Sequence, residues 1–334
     1  MESEREPSDQ VGIPATSLII CSRNRPQLLL ESVESILQGD TVPSELIIVD
    51  QSSNPHRTLP TLTTDRPCAI RYLWTRSVGL CRANNAGIAA ARHDILVFTH
   101  DDILADPAWF GTLVGALVAA GPRSVVTGKV PPTTPETPGG FAPTIKVDEA
   151  PAVYRGRVGK DVLFPLNMAM YRSAIAEVGP FDVRLGPGTP FPAAEDNDLG
   201  FRLLEAGYRI VYVPEAVLYH RAWRTERDAL PLRWSYGRGQ GAFYAKHLNL
   251  RDRYMLGRLR WDILRHVRRF ARRWGRHPTQ AGRDVVYMLG LIPAARIVAP
   301  IVPWWNRPRP ECRDPLYVLG LLAGVAQWLL TERR

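Results

Sequence analysis

Apolar and polar positions fall in alternating blocks along the first 130 residues. Residues 17–21 form an apolar run that ends in the polar Ser22-Arg23-Asn24. Pro26 follows, suited to a first helical turn, and Leu28, Leu29, Val33, Ile36 and Leu37 continue at helical spacing. A second run at 46–49 is stopped by Asp50-Gln51-Ser52-Ser53-Asn54, and 70–74 reads as a third strand. A helix is predicted over 83–92 and a further strand over 95–99. Strand, helix, strand in this rhythm predicts a mostly parallel sheet covered by helices. Ligands bind such sheets beyond the carboxyl ends of the strands, and here those ends carry Ser22-Arg23-Asn24, Asp50 and His100-Asp101-Asp102.

Residues 131–154 are rich in Pro, Gly and Thr, which fits either a loop folded over a ligand or a surface excursion. Helices are predicted over 173–178 and 197–206, the second stopped by Gly207 ahead of a strand at 209–213. After Pro231 the pattern changes. Leu256, Leu259, Ile263, Val267, Phe270 and Trp274 recur at steps of three and four, with Arg258, Arg265, Arg268, Arg269, Arg272 and Arg273 among them. That is a basic amphipathic helix, which either lies in a lipid headgroup layer or packs on the preceding domain. Two apolar stretches follow at 285–305 and 316–330. The first is interrupted by Arg296 and prolines, and the second has about 15 apolar residues where a spanning helix needs roughly 20.

Composition narrows the class. The 334 residues are 45% hydrophobic, enough for a proper core. The formal charge of +9 comes mostly from arginine and favours anionic partners: nucleotide phosphates, acidic lipid or nucleic acid. Nucleic acid would call for aromatics along a basic groove, whereas the tryptophans here fit the apolar face of a helix, so no nucleic-acid partner is expected. Cys21, Cys68, Cys81 and Cys312 contain no C-x-x-C pair, which predicts a reduced compartment without disulfides or a zinc site. The start, MESEREPSDQ, lacks the basic and apolar regions of a secretory leader, and residues 1–15 are expected to be mobile.

Three groups of residues carry candidate chemistry. Asp101 and Asp102 follow an apolar strand, and adjacent carboxylates raise each other's pKa unless a cation sits between them. A hard divalent ion resolves this and keeps positions for phosphate oxygens, while a solvated acidic loop or a cap is the plainer reading. Asp50 ends a strand, where an acid either binds a ribose or base group or makes a turn. Glu195-Asp196-Asn197-Asp198 opens a helix; acids suit that dipole, yet three in four residues exceed what a cap needs, and one fits a general base. His220 ends an apolar run, as a structural histidine or a third metal ligand.

Taken together, SLIICSRNRPQLL, ELIIVDQSS, GLCRANNAGIAAARHDILVFTHDD, LNMAMYRSAIAEVGPFD and AEDNDLGFRLLEAGYRIVYVPEAVLYH resemble, in order and spacing, the family 2 glycosyltransferases. Those enzymes are inverting and have the GT-A fold. The resemblance implies a GT-A type α/β domain over 16–230, with 16–130 binding the nucleotide sugar and 131–230 supplying the acceptor side and base. A helical extension over 231–334 would follow. It further implies that Asp50 contacts the nucleotide base, with Ser22 and Arg23 lining the pocket, and that Arg82 lies near the phosphates. Asp102, with Asp101, would hold Mn²⁺ or Mg²⁺, and His220 would join them or the diphosphate. Asn167 would line the sugar or acceptor side, and Asp196 would be the catalytic base, supported by Glu195. The partners implied are a nucleoside-diphosphate sugar, a hydroxyl acceptor on a lipid-linked or polysaccharide precursor, and an anionic membrane surface met from the cytoplasmic side.

Two departures matter. The family's acidic motif usually reads Asp-x-Asp or Asp-Asp-Asp, and His100 takes the first place here. Leu230-Pro-Leu-Arg233-Trp234 lacks the Gln of the processive Q-x-x-R-W motif, which favours a single-addition enzyme. A sugar-phosphate nucleotidyltransferase would need a Gly-rich loop where Ser22–Pro26 has no glycine, and an inactive sugar-binding relative would have lost Asp102 or Asp196.

Overall fold

The computed structural model describes residues 13–136, 138–221, 223–248, 253–276 and 313–331. Its first half is a Rossmann-like layer. β1 (Thr16–Ser22) pairs in parallel with β2 (Glu45–Asp50) and β4 (Ile95–His100), and β2 pairs with β3 (Ala69–Trp74). Every residue of β1 and β2 is buried because both sheet faces are covered. Leu18 and Ile20 pack with Leu29, Val33 and Ile36 of α1 (Pro26–Leu37), while Ile19 and Cys21 face Cys81 and Ala83 of α2 (Leu80–Ala90). Each such Leu, Ile or Val side chain contributes about 1.5–3 kcal/mol on full burial. Of the expected mobile tail, residues 1–12 lie outside the described residues, and Ile13 packs against the core.

Beyond β4 the sheet stops being parallel. β5 (Ile103–Ala105), α3 (Trp109–Ala120), β6 (Ser124–Lys129), β7 (Ala152–Tyr154) and β8 (Asn167–Tyr171) intervene before α4 (Arg172–Val178), α5 (Glu195–Glu205) and β9 (Arg209–His220). β8 runs antiparallel between β4 and β6, giving the order β3-β2-β1-β4-β8-β6-β9-β5, with β7 on β9. The mostly parallel sheet read from the sequence therefore holds for the first four strands and becomes mixed at β8. β9 also extends past the expected residue 213 to His220, and its far end pairs antiparallel with β5.

The expected boundary at 230/231 falls inside a helix. α6 (Glu226–His247) opens with a capping box between Thr225 and Asp228 and runs through Pro231. α7 (Arg253–Arg276) and α8 (Arg313–Thr331) follow in the extension among the described residues. α8 lies directly on α6: at Gly237 and Gly241 of one and Gly320 and Gly324 of the other, an added Cβ would run into the opposing backbone. Paired small residues four apart allow that closeness. The stretch at 285–305 lies outside the described residues. The run at 316–330 is part of the 19-residue α8, which by length and composition alone could cross a membrane, although a third of it is buried in the protein.

α7 forms over the stretch where the basic amphipathic helix is expected. The buried stripe is Met255, Arg258, Asp262 and His266, not the apolar line. Burying those polar groups is possible because they are paired. Asp262 accepts hydrogen bonds from Tyr244 (3.2 Å) and Tyr317 (2.9 Å), His266 meets Asp314 at 2.5 Å, and Arg258 pairs with Asp161. Val267 on the apolar line is left 47% exposed, and Trp261, on the other flank of the helix, 53%.

Candidate active site

A cleft of about 760 Å³ opens at the carboxyl ends of β1 and β4 and is closed on its far side by the start of α5 and by α6. Ser22, Arg23, Arg25, Gln51, Asp101, Asp102, Glu195, Asp196 and His220 all reach its wall. Residues far apart in sequence meet because the strands end together: Ser22 is in register with Asp50, and Cys21 with His100. His220 arrives because β9 pairs antiparallel with β5, setting it opposite Ile103.

The acidic pair is tightly organised. Ser22 donates to Asp101 Oδ2 at 2.7 Å. One guanidinium nitrogen of Arg25, Nη1, bridges Asp101 Oδ1 at 3.1 Å and Asp102 Oδ2 at 2.9 Å. His220 Nε2 stands 3.5 Å from Asp102 Oδ1, too long and poorly aligned for a good hydrogen bond, and that oxygen has no donor. Burial, then the charge of Asp102, pushes Asp101 up to about 6. Burial would raise Asp102 as well, but His220, His100 and Arg25 outweigh it and hold this carboxyl ionised. Burial brings His100 down to about 4, so it is neutral near pH 7. Buried unpartnered polar atoms are uncommon, and Asp102 Oδ1 and His220 Nδ1 are both of that kind. An oxygen and imidazole set with an unused carboxylate oxygen fits Mn²⁺ or Mg²⁺. Among the described residues no three or more His, Cys, Asp or Glu side chains are already gathered as a complete metal site, these included.

The second carboxylate group is sorted by the start of α5. Ala194, just before it, holds a left-handed φ of 72°, an uncommon state for a residue with a Cβ. That kink aims Glu195 and Asp196 at the cleft. Gly186, at φ 89°, leaves room for the Glu195 carboxyl, whose Cδ would lie 3.2 Å from any added Cβ. Burial raises Glu195 to about 7, and burial with the charges of Glu195 and Asp161 raises Asp196 well above its ordinary value. Asp198 is different: it is fully buried between Lys246 and His247 (both 2.7 Å) and Arg202 (2.9 Å), anchoring α6 to α5.

Three residues expected in the site are not part of the cleft lining. Asn167 is fully buried in the core, away from the cleft wall. Its Oδ1 accepts from Trp109 Nε1 at 2.8 Å, and its Nδ2 donates to the carbonyls of Lys129 and Ala216, both at 2.9 Å. Those carbonyls flank the register shift between β6 and β9, so Asn167 satisfies backbone groups that the bulge leaves without ladder partners. Asp50 is also buried, receiving Tyr72 Oη at 2.5 Å and the Ser52 amide at 2.8 Å, and it is Gln51 that lines the cleft. Arg82 stands exposed on α2, outside the lining.

Other wall residues gave little or no sequence signal. Arg25 sits in the quoted Ser22–Pro26 turn without a role attached to it. Asp161, Tyr236, Gln240 and Tyr317 come from the linker before β8 and from α6 and α8, so the extension builds part of the cleft. The Pro-rich loop does too: Pro143 and Thr144 line the mouth, Thr144 Oγ1 lies 3.3 Å from Tyr236 Oη, and Phe141 and Arg224 exchange backbone hydrogen bonds at 2.9 Å.

Comparison with known proteins agrees with this arrangement. Over 179 residues the chain is 31% identical to the pre-mycofactocin glycosyltransferase of Mycobacterium tuberculosis, covering 51% of this chain and 36% of that protein, so it spans about a third of that relative. It is 26% identical over 231 residues to a glucosyl-dolichyl phosphate glucuronosyltransferase of Haloferax volcanii, covering 65% of this chain and 73% of that one. The fold matches the mannosyltransferase PcManGT of Pyrobaculum calidifontis, solved with GDP-Man and Mn²⁺, with a TM-score of 0.55, 16% identity and coverage of 95% and 88%. Residues 17–175 match the family described as Glycosyl transferase family 2, and residues 153–330, more than half of the chain, match Glycosyl transferase family group 2. With the sheet, the acidic pair and the α5 carboxylates in the family's order, the chain belongs to the family 2 glycosyltransferases.

Proposed function

We propose that the protein is an inverting glycosyltransferase that moves a sugar from a nucleoside diphosphate to a hydroxyl of a lipid-linked or polysaccharide-precursor acceptor. The observation that carries this reading is the meeting of two unlike carboxylate groups in the lining of one cleft, Asp101 and Asp102 with His220, and Glu195 with Asp196. Asp196 accepts the proton of the acceptor hydroxyl, and Glu195, titrating near 7, shares its charge. The acceptor oxygen forms its bond to the anomeric carbon as the bond to the diphosphate breaks on the opposite face. No enzyme nucleophile is used, and the sugar inverts. Asp102, Asp101 and His220 would hold a divalent ion, which when bound neutralises charge on the departing diphosphate. Ser22, Arg23 and Gln51 line the donor end, and Tyr236, Gln240 and Tyr317 the end facing the extension.

A panel of UDP-, dTDP- and GDP-sugars tests the donor assignment. With Mn²⁺ at saturation, a donor at a hundred times its Kd stabilises the protein by about 2.7 kcal/mol, a melting shift of several degrees. Sugar release from that donor with lipid extract then identifies transfer. If no nucleotide sugar shifts melting with either metal, the reading falls.

The acceptor class is supported by the extension. On α7, Leu259 and Ile263 pack partly on the core, while Val267 and Trp261 stay exposed. α8 likewise exposes Leu319, Leu322, Leu329 and Leu330, the last at 66%, and Arg260, Arg268, Arg269 and Arg272 are exposed on α7. Such a surface suits a peripheral position on an anionic leaflet at the cytoplasmic face, where a lipid-linked acceptor is met. Charges near the surface contribute about 1 kcal/mol each, so changing Arg268, Arg269 and Arg272 together to Gln should cut partitioning onto anionic vesicles roughly a hundredfold in flotation. Wild-type protein that stays unbound on anionic vesicles at low salt would remove the membrane from the proposal.

A further inference from the structure

Among the described residues Arg25 is the cation that pairs with both acids, and its geometry is that of a movable part on a fixed base. Its backbone is pinned. Asn24 donates its amide to Ser52 Oγ at 2.7 Å, Ser53 donates to Asn24 Oδ1 at 2.9 Å, and the Arg25 carbonyl accepts the first bond of α1 from Leu29 at 3.0 Å. The acids are pinned as well. Asp101 is held by Ser22, and Asp102 accepts the Arg221 amide on its carbonyl at 2.8 Å. The two carboxylates are almost wholly buried, whereas the Arg25 side chain is 40% exposed in the cleft wall. A guanidinium carries five N–H donors, and the acids take hydrogen bonds from only one of its nitrogens.

We propose that Arg25 is a built-in counter-cation that holds Asp101 and Asp102 together before metal binds, gives these carboxylates up to a divalent ion, and then takes the diphosphate of the donor. The inference rests on the metal-assisted reading above and adds a residue and an order of events to it. Two buried neighbouring carboxylates need a compensating positive charge at every stage. A divalent ion held by these carboxylates would supply that charge and would repel the guanidinium. The released fork is matched to phosphate oxygens, which it can bind in pairs where an ammonium binds as a point charge. Arg25 and the ion are therefore competitors before the nucleotide arrives and cooperating cations once it is bound.

Competition and cooperation predict effects of opposite sign in one variant. Mn²⁺ binding to the full chain without nucleotide, read from the electron paramagnetic resonance of free Mn²⁺, should be about tenfold tighter in Arg25→Met than in wild type, because a competing charge is gone. In saturating Mn²⁺, calorimetric binding of UDP, GDP or dTDP, whichever the wild type prefers, should be about tenfold weaker in the same variant. Arg25→Lys keeps the charge without the fork. It should bind Mn²⁺ close to wild type and the nucleotide weakly, and it carries the test should Arg25→Met fail to fold. Unchanged or weaker Mn²⁺ binding in Arg25→Met would leave Arg25 as a plain structural pair and overturn the inference. Tighter Mn²⁺ with unchanged nucleotide binding would overturn the transfer to the diphosphate. A wild type that binds nucleotide with no response to Mn²⁺ would sink the metal-assisted reading itself, and the inference with it.

Discussion

Asp196→Asn should lower turnover by at least about a hundredfold while donor binding stays near wild type, since the change keeps the size of the side chain and removes only its capacity to take a proton. The effect belongs in kcat, because the acceptor hydroxyl loses its proton in the transition state and not on binding. A pH profile gives a second signature. Both carboxyls at the start of α5 are raised, Glu195 to about 7, so the pair is increasingly protonated as pH falls below that value. A base must be ionised to act, so wild-type kcat/KM should rise with pH between about 6 and 8, and this limb should vanish in Asp196→Asn. Glu195→Gln should lower and reshape the profile without abolishing it. Near wild-type turnover in Asp196→Asn together with a large loss in Glu195→Gln would exchange the two roles. Asp198→Asn is the structural control: it disturbs contacts to Arg202, Lys246 and His247 and should lower the melting temperature.

Removal of divalent metal should be the other large effect. EDTA should abolish transfer, and Mn²⁺ or Mg²⁺ should restore it. Asp102→Ala should prevent the rescue, with a loss on the order of a thousandfold, because uncompensated charge on the departing diphosphate costs several kcal/mol at the transition state. The prediction is specific to Asp102 for a geometric reason. Asp101 is occupied by Ser22 and Arg25, whereas Asp102 keeps one buried oxygen with no donor facing His220. His220→Ala should therefore weaken the metal requirement's apparent affinity without removing activity outright, and Asp101→Asn should be milder than Asp102→Asn. Full transfer in EDTA would confine Asp101 and Asp102 to organising the β4 turn and would leave Arg23 and Arg25 to carry the diphosphate.

Much of the site was readable from the chain because the chemistry sits at strand and helix ends, which composition marks sharply. Short apolar-rich runs at 17–21, 46–49 and 95–99 fit strands covered on both faces, and a parallel sheet places the polar residues that follow them on one edge. Ser22, Asp101 and Asp102 were found in that way, and Glu195 and Asp196 by an excess of acid at a helix start. What sequence left open was which of several chemically equal groups faces the cleft. Asp196 and Asp198 are both acids of one helical turn, and only packing of α6 makes Asp198 an anchor. Asn167 has the chemistry of a sugar contact, yet the bulge between β6 and β9 needs its amide in the core. His220 gains meaning through a strand pairing more than a hundred residues away in sequence from Asp102, which no local pattern encodes. The same holds for α7. Its periodicity fixed that a helix would form, but the partners offered by Asp161, Tyr244, Tyr317 and Asp314 decided that its polar stripe would turn inward. Local propensity and burial pattern are properties of neighbouring residues, whereas the pairing of buried polar groups depends on what the rest of the fold brings to them.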